Sequence, residues 1–264
     1  ELLKTKQNDI YYLQSGKGQP HIYPDDIYPI KIPIPPDDIQ QKIINEITLI
    51  ENKANKNIDK INNIKSNISS VINTNIEANK INNYKTMLQR GKSAKYSFKS
   101  NIQIIKSGQI RGLRNFDFSK KYYASHSMKA DDRLLQKGDL LINSTGVGTA
   151  GRVNLFDLDG QYFVDSHVTI LRLDQTRLLP VYLLYQLYFN IGFKNIEKMA
   201  TGQSGQIELA PDTIANIKIP VPNIEEQKRI VAKILPLEVE IERLQKEIDE
   251  IPDKKQAILD KYLK

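Results

Sequence analysis

PDDIYPIKIPIPPDDIQQKIINEI, residues 24–47, recurs later in the chain as PDTIANIKIPVPNIEEQKRIVAKI, residues 211–234. The two stretches align without a gap at a constant offset of 187 residues. The identical positions are Pro24, Asp25, Ile27, Ile30, Lys31, Ile32, Pro33, Pro35, Gln40, Ile43 and Ile47, which recur as Pro211, Asp212, Ile214, Ile217, Lys218, Ile219, Pro220, Pro222, Gln227, Ile230 and Ile234. A period this long indicates a duplicated module rather than a solenoid repeat.

Each copy has the same three-part pattern. A short Ile-Lys-Ile run favours a strand at the edge of a sheet. The Pro-x-Pro that follows can continue neither a ladder nor a helix. An acidic turn then precedes apolar residues at helical spacing, which indicates a helix N-terminus. Each copy therefore predicts a globular unit that is followed directly by a long helix.

The first of these helices is predicted over residues 37–88, because no proline or glycine interrupts that stretch. About 50 residues at 1.5 Å each would make a rod of roughly 75 Å. Its apolar residues alternate in steps of three and four, as the seam of a coiled coil requires. They are Ile43, Ile47, Ile50, Ala54, Ile58, Ile61, Ile64, Ile68, Val71, Ile72 and Ile76.

The second helix, in residues 223–264, has a strict heptad seam. Its apolar positions are Ile230, Ile234, Leu237, Ile241, Leu244, Ile248 and Ile251. Pro236 is expected to kink this helix, and Pro252 is expected to break it. Because an exposed apolar seam needs a partner, we expect the two helices to pack together as an antiparallel coiled coil.

The segment between the helices has the pattern of a β-rich domain. LLINS (140–144) and GRVNLF (151–156) flank TGVGTA (145–150), which predicts a strand, a Gly-rich turn and a second strand. QYFVDSHVTILRL (161–173) predicts a further strand or a pair, and Pro180 opens a helix. The expected fold class is therefore α+β, with a mixed or antiparallel β-rich domain flanked by two long helices.

Positive charge is concentrated in the same segment. The chain carries a net charge of +7. Residues 89–222 hold 18 Lys and Arg against 11 Asp and Glu, whereas the remainder holds 20 of each. This asymmetry favours a polyanion-binding domain on uncharged helical supports, and a generic basic surface is the alternative.

Most catalytic chemistries lack support in the sequence. The absence of cysteine excludes disulfides and thiolate zinc sites, and the three histidines show no metal-binding spacing. The TGVGTAG run has no Gly-Lys-Ser/Thr, so it is not a Walker A loop. Because these catalytic patterns are missing, we expect a non-catalytic chain. There is no signal peptide and no apolar run of membrane-spanning length, so we expect a cytoplasmic protein.

Four stretches carry a family resemblance: KGDLLINSTGVGTAGRV (137–153), DSHVTILRL (165–173), the junction in residues 205–234, and KKQAILDKYL (254–263). Together with the first junction they resemble a specificity (S) subunit of a type I restriction-modification system, an HsdS-like protein. In that family, target recognition domains alternate with long conserved spacer helices. The resemblance covers nearly the whole chain.

The resemblance implies that each recognition domain reads one half of a split site in double-stranded DNA. The helices would set the spacer between the half-sites and dock methyltransferase (M) subunits, which methylate adenine with S-adenosylmethionine. A restriction-translocation (R) subunit would complete the complex. The S subunit itself would catalyse nothing and hold no cofactor.

On this pattern, residues 1–36 end a first recognition domain, 37–90 form a spacer helix, 91–222 form the second recognition domain and 223–264 form a second spacer helix. On the same pattern, most of the first recognition domain would be missing from this sequence. The chain would then be a truncated chain, a half-subunit that forms a homodimer, or the carboxy-terminal specificity region of a fused type II restriction-methyltransferase enzyme. A helical scaffold or dimerisation protein that does not bind DNA is a further alternative.

Candidate DNA contacts are the polar and cationic loop residues of this segment, which could reach phosphates or base edges. They are Lys106, Gln109, Arg111, Arg114, Lys120, Lys121, Ser144, Thr145, Thr149, Arg152, His167, Gln203, Ser204 and Gln206. Tyr122 and Tyr123, next to two of these lysines, could stack on bases or pack at an edge strand.

Overall fold

The chain divides into two compact units, unit 1 (Glu1–Ile64 with Glu238–Lys264) and unit 2 (Lys65–Leu237). A computed structural model describes residues 6–15, 20–73, 75–128, 131–203 and 206–263. The α-helices are α1 (Gln7–Tyr12), α2 (Pro24–Ile27), α3 (Asp37–Ile72), α4 (Pro180–Tyr185), α5 (Phe193–Glu197), α6 (Pro211–Ala215), α7 (Ile224–Asp249) and α8 (Ile251–Leu263). The strands are β1 (Ala78–Lys80), β2 (Lys85–Arg90), β3 (Tyr96–Ser97), β4 (Ile102–Ile105), β5 (Ile110–Gly112), β6 (Asn115–Phe116), β7 (Tyr123–Ala124), β8 (Leu140–Asn143), β9 (Val153–Leu155), β10 (Gln161–Val164), β11 (Val168–Leu173), β12 (Thr201–Gln203), β13 (Gln206–Glu208) and β14 (Lys218–Pro220).

Unit 1 is built on antiparallel helix packing. Ile43 and Ile47 of α3 bury their side chains against Ile258 and Leu259 of α8. Polar contacts continue the same pairing along the helices. Glu46 pairs with Lys261 at 2.8 Å, Glu51 with Lys255 at 2.5 Å, and Lys53 with Glu247 at 3.1 Å. Because the partner number falls as the α3 number rises, the helices run antiparallel, which confirms the expectation.

The seam of α3 differs from the predicted one at Ile58 and at Ile76. Ile76 lies beyond the end of α3 at Ile72 and is 43% exposed. Ile58 is 43% exposed, whereas the neighbouring Asn57 is only 5% exposed. Asn57 Nδ2 donates a hydrogen bond to Glu247 Oε2 at 3.1 Å. The prediction of Ile58 was wrong because it followed hydrophobicity, whereas the step from Ala54 to Ile61 places Asn57 on the facing side.

The first long helix is also shorter than predicted. It ends at Ile72 rather than continuing to residue 88, so its 36 residues span about 54 Å. The chain then enters β1 and β2, which pair with strands far along the sequence. Long-range strand pairing thus overrides a stretch that lacks any local helix stop. The predicted functional boundaries between spacer and recognition segments remain a prediction.

The prolines of the second helix act differently from each other. α7 continues through Pro236 as a single helical element, and the expected kink at that residue stays a prediction. The chain does break before α8, at Glu250, and Pro252 lies in the first turn of α8. A missing N–H costs little there, because the first turn has no intrahelical acceptor.

Two four-stranded sheets form the centre of unit 2. One is antiparallel with the order β2-β11-β8-β9. The other has the order β10-β4-β7-β3, and its β10 and β4 are parallel. The predicted strand, turn and strand correspond to β8 and β9, and QYFVDSHVTILRL forms the pair β10 and β11. The expected α+β class with a mixed β-rich domain is confirmed.

Both sheets contribute to one hydrophobic core. Ile105 and Val164 come from one sheet, and Leu141 and Ile170 come from the other. Phe163, which precedes Val164, belongs instead to a second cluster with Ile104 and Ala124. This alternation is the two-residue period of a strand that is buried on both faces.

The two copies of the duplicated stretch lie in different surroundings. In the second copy, β14 pairs antiparallel with β1, and Ile219 is fully buried. In the first copy, residues 31–33 form no strand within the described part of the chain. The Ile-Lys-Ile run therefore becomes a strand only where a partner strand is present.

The structure explains why both copies of the duplicated stretch have a glutamine at one position, Gln227 and its counterpart Gln40. Gln227 is fully buried, and its Nε2 donates to the carbonyl oxygens of Pro222 at 2.8 Å and Arg177 at 2.9 Å. Its Oε1 accepts the backbone N–H of Leu179 at 2.8 Å. Gln40 repeats the first bond, donating to the Pro35 carbonyl at 2.8 Å.

Gln227→Ala is therefore expected to lower the free energy of unfolding by about 2–3 kcal/mol, because it leaves a buried N–H and buried carbonyls without partners. Gln40→Ala is the matched control and should cost less than about 1 kcal/mol, since water can replace its bond. Urea denaturation of both variants measures the difference. Equal losses of unfolding free energy in the two variants would show that burial of Gln227 does not raise the cost of removing its hydrogen bonds.

Candidate nucleic-acid interface

Three turns of unit 2 meet at one end of the two central sheets. Because β4 and β10 are parallel, their carboxyl ends lie together, which places Lys106 beside Asp165. In the neighbouring sheet, the end of β8 at Asn143 lies opposite Val168, the start of β11. The turns that follow β4, β8 and β10 are therefore neighbours, although they are far apart in sequence.

The buried carboxylate of Asp165 lies at the centre of these turns. It is 4% exposed and accepts backbone hydrogen bonds from His167, at 3.0 Å, and from Ser107. Burial raises the pKa of this carboxyl above its usual range, and the two backbone bonds and the nearby Lys106 only partly oppose the shift. Asn143 Nδ2 donates to the Ser107 carbonyl at 2.9 Å, so the Ser107 turn is fixed from both sides.

A glycine allows the backbone to approach this centre closely. The Gly91 N–H donates to the Val168 carbonyl at 2.9 Å, and the following Lys92 N–H donates to the Val164 carbonyl at 3.1 Å. A Cβ at position 91 would clash with the Asp165 carbonyl oxygen. No other residue fits without moving the strands, so Gly91 is required for the junction.

Lys106 lies next to this centre and has an aromatic environment. Its Nζ lies 4.7 Å from the centroid of the Tyr122 ring and 5.5 Å from that of Tyr96. Tyr122 packs against the cluster of Ile104, Ala124 and Phe163. It precedes β7, which lies between β4 and β3 and is not an edge strand. Cation–π attraction holds the ammonium group between the two rings.

Gln109 is buried and has a structural role. Its side chain is buried, and Nε2 donates to the carbonyls of Lys120 at 2.8 Å and Asp117 at 3.1 Å. Its Oε1 accepts the N–H of Lys106 at 3.0 Å. The expectation that Gln109 reads a base does not fit this burial, because its groups already hold the loop of residues 117–120.

Four further predicted cations lie on the β5–β6 hairpin and on the segment that follows it. Arg111 pairs with Asp117 at 2.7 Å, and this hydrogen bond lowers the pKa of Asp117 far below its usual range. Arg114 lies 3.4 Å from Asp157. Lys120 and Lys121 are exposed and form no ion pair within the described residues. A cavity of about 310 Å³ opens beside Lys106, Lys120 and Tyr122.

Two residues of the Gly-rich turn after β8 stabilise the turn itself. Thr149 Oγ1 donates to the carbonyl of Thr145, at 2.9 Å, and Arg152 Nη2 donates to that of Gly148, at 2.8 Å. The Gly148 N–H donates to the carboxylate of Glu197. That amide therefore already has a partner within the domain.

Of the remaining candidates in these turns, Thr145 and His167 are accessible and Ser144 is not. Ser144 is fully buried, with its Oγ 2.6 Å from Thr169 Oγ1. The sequence did not indicate that this hydroxyl faces the interior. Thr145 Oγ1 and the ring Nδ1 of the exposed His167 share a hydrogen bond of 2.9 Å.

Gln203 and Gln206 belong to β12 and β13, which pair as a hairpin. Ser204, the remaining predicted contact, lies outside the described residues. The hairpin lies beside the Gly-rich turn, because Thr145 forms an isolated bridge with Glu208.

Two residues of this region, Arg90 and Asp165, are absent from the contacts predicted by the sequence. Arg90 Nη2 pairs with Glu208 at 2.8 Å, and Nη1 donates to the Ser166 carbonyl at 3.2 Å. The sequence does not indicate Arg90, because the absence of proline and glycine over residues 37–88 favours a helix and masks the strand that Arg90 ends. Asp165 could have been noticed as a lone carboxylate between two apolar strands.

The chain therefore combines a β-rich domain, in which three polar turns converge, with long paired helices. The family model for the type I restriction modification DNA specificity domain matches residues 79–253. The chain belongs to this family.

Two curated relatives are similar to the chain. A Haemophilus influenzae protein described as a type I restriction enzyme specificity subunit is 33% identical over 137 residues, covering 49% of this chain and 33% of that protein. The type I restriction enzyme MjaVIII specificity subunit of Methanocaldococcus jannaschii is 24% identical and covers 99% of this chain and 68% of that protein. The chain thus spans about a third and about two thirds of these relatives.

Solved structures share the fold. The HsdS subunit of Thermoanaerobacter tengcongensis matches with a TM-score of 0.54 and 20% identity, over 97% of this chain and 67% of that one. The type I S subunit from M. genitalium matches with a TM-score of 0.57 and 14% identity, over 99% and 70%. Within the described ranges, none of the helices combines the length and apolar character that a membrane span needs.

The raised pKa of Asp165 predicts a pH dependence. The folded protein holds this proton more tightly than the unfolded chain, so the group's contribution to stability is complete below pH 3.8 and is lost as pH rises through the raised pKa. Asp165→Asn cannot ionise, and it should therefore gain stability relative to the unaltered chain as pH rises above the unfolded value of 3.8. Chemical denaturation at a series of pH values measures the gain.

Asp174→Asn provides a control of opposite sign. Hydrogen bonds from Thr176 lower the pKa of Asp174, so its contribution is present above the unfolded value and is lost as pH falls. Asp174→Asn should therefore be less stable than the unaltered chain at neutral pH, and this difference in stability should shrink as pH falls. If Asp165→Asn and the unaltered chain show the same pH profile, the carboxylate is not desolvated.

Proposed function

We propose that this chain is the DNA-recognition subunit of a type I restriction-modification complex and that unit 2 reads one half of a split site in double-stranded DNA. The observation that carries the proposal is the convergence of the turns after β4, β8 and β10. These turns bring cations and exposed hydrogen-bonding side chains together at one end of two sheets. Membership of the specificity-domain family supports the same assignment.

Charge supports a nucleic acid as the ligand. The excess of 18 cationic over 11 acidic residues lies in residues 89–222. Lys120 and Lys121 lie exposed in the segment between β6 and β7, which Gln109 ties to the turn after β4. They have no ion pair within the described residues, so they are available for phosphates. Binding should weaken steeply with salt, because each neutralised phosphate releases a counterion.

The contacts divide by accessibility. Lys120 and Lys121 would contact phosphates and so position the DNA backbone. Arg111, Thr145 and His167 would reach base edges. Arg111 would exchange Asp117 for a base on binding. Gln109 and Ser144 would act indirectly, by holding the loops that carry these residues.

The helices would have a role in assembling the complex rather than in reading the DNA sequence. We infer that α3, α7 and α8 set the separation of the two half-sites and dock methyltransferase subunits, which would supply S-adenosylmethionine and methylate adenine. A restriction-translocation subunit would join the same assembly. The chain itself would contribute recognition and no catalysis. The antiparallel packing in unit 1 supports a spacer role, because it fixes the helices in one register.

Exchange of one domain tests the function. Residues 78–220 would be replaced by the corresponding segment of another specificity subunit, so that the paired strands β1 and β14 move together. In cells with the complete locus, methylation-sensitive long-read sequencing should show one half of a split adenine-methylated motif changed and the other half retained. An unchanged motif would mean that unit 2 does not choose the sequence, and a scaffold role would then explain the chain better.

Charge removal tests where the DNA lies. Lys106/Arg111/Arg114→Ala should weaken binding of the motif duplex by roughly ten-fold or more and reduce the salt slope by about one for each phosphate that is no longer neutralised. Lys53/Lys56/Lys60→Ala on α3 is the matched control and should have a smaller effect. Lys120/Lys121→Ala changes only exposed side chains and should also weaken binding. Equal losses for all three variants, measured by fluorescence anisotropy with the methyltransferase subunits present, would contradict the placement.

A further inference from the structure

Phe98 lies in full contact with solvent between β3 and β4. Its exposed fraction is 104%, the largest of any large hydrophobic side chain in the described part of the chain. An exposed phenylalanine leaves its whole ring in water, which is unfavourable. The position therefore suggests a ligand rather than a packing role.

The loop that carries Phe98 is held in a defined conformation. Ser97 Oγ lies 3.0 Å from the Ala124 carbonyl oxygen and 3.2 Å from that of Lys99, and can donate to either. Ser100 Oγ accepts the N–H of Ile102 at 3.1 Å and lies 2.9 Å from the Ile102 carbonyl. These side-chain bonds brace the loop on both sides of the ring, so little ordering would remain to be done on binding.

The surroundings of the ring are cationic rather than apolar. Lys95 and Lys99 flank it, both exposed and without an ion pair among the described residues. Tyr96, two residues before it on the edge strand β3, faces the ammonium group of Lys106. Lysine is depleted in protein–protein interfaces, whereas lysines next to an aromatic ring are typical of nucleic-acid contacts.

We propose that Phe98 is a wedge that inserts between adjacent base pairs of the bound duplex, while Lys95 and Lys99 contact the phosphates on either side. This inference rests on the proposed DNA-recognition function. Insertion would bury the ring against base faces and unstack one step. The cost of unstacking depends on the step, so Phe98 would add sequence preference at a position that no side chain reads by hydrogen bonds.

The test uses the full chain with its methyltransferase subunits and duplexes that carry the methylated motif. 2-Aminopurine replaces adenine at successive positions, and its fluorescence rises where a base loses its stacking partner. The unaltered chain should give a rise at one step. Phe98→Ala should abolish the rise and weaken binding about ten-fold, and Phe98→Trp should retain both properties.

Two control variants separate the wedge from general effects. Tyr28→Ala removes another exposed aromatic side chain and should change neither signal. Lys99→Ala should weaken binding and lower the salt slope while keeping the fluorescence rise. Phe98→Ala should melt at the same temperature as the unaltered chain, because the ring is fully exposed.

The outcomes distinguish this inference from the function on which it rests. Specific, salt-dependent binding without any fluorescence rise, or with equal affinity for Phe98→Ala, would overturn the wedge and leave DNA recognition intact. Loss of methyltransferase binding by Phe98→Ala, with unchanged DNA affinity, would assign the ring to a protein interface instead. Failure of the unaltered complex to bind the duplex would overturn both proposals.

Discussion

The parallel pairing of β4 with β10 places a buried carboxylate, Asp165, where three turns meet. A desolvated carboxylate is costly unless donors surround it, and the backbone N–H groups of Ser107 and His167 provide them. The same bonds fix the two turns that present Lys106 and His167. The contacts proposed for DNA thus depend on one interior junction, which itself requires a glycine at position 91.

The duplicated stretch shows how one sequence pattern gives two structures. In the second copy, β14 has a partner in β1, and the side chain of Gln227 is enclosed by backbone groups of three residues. In the first copy, Gln40 retains only the bond to its own Pro-x-Pro segment among those bonds. The local bond follows from the sequence, whereas the strand and the burial depend on what packs against them.

A polar residue in the helical seam has a comparable role. Asn57 occupies a position that an apolar residue would fill more favourably, and it bonds to Glu247 on the facing helix. A buried asparagine lowers stability but disfavours other registers, in which its amide would lack a partner. The ion pairs Glu46–Lys261 and Lys53–Glu247 support the same register from the solvent side.

Local patterns in the sequence were sufficient for the α+β class, the antiparallel helices and the strand–turn–strand at residues 140–156, because these follow from periodicity and turn residues. The family followed instead from the resemblance of four stretches and the duplicated junction to a known family. Long-range pairing decided that α3 ends at Ile72, since β1 and β2 pair with distant strands. It also decided which candidates are accessible. Gln109 and Ser144 are polar loop residues in the sequence, but distant segments pack over them, and burial of a turn depends on contacts that no local pattern encodes.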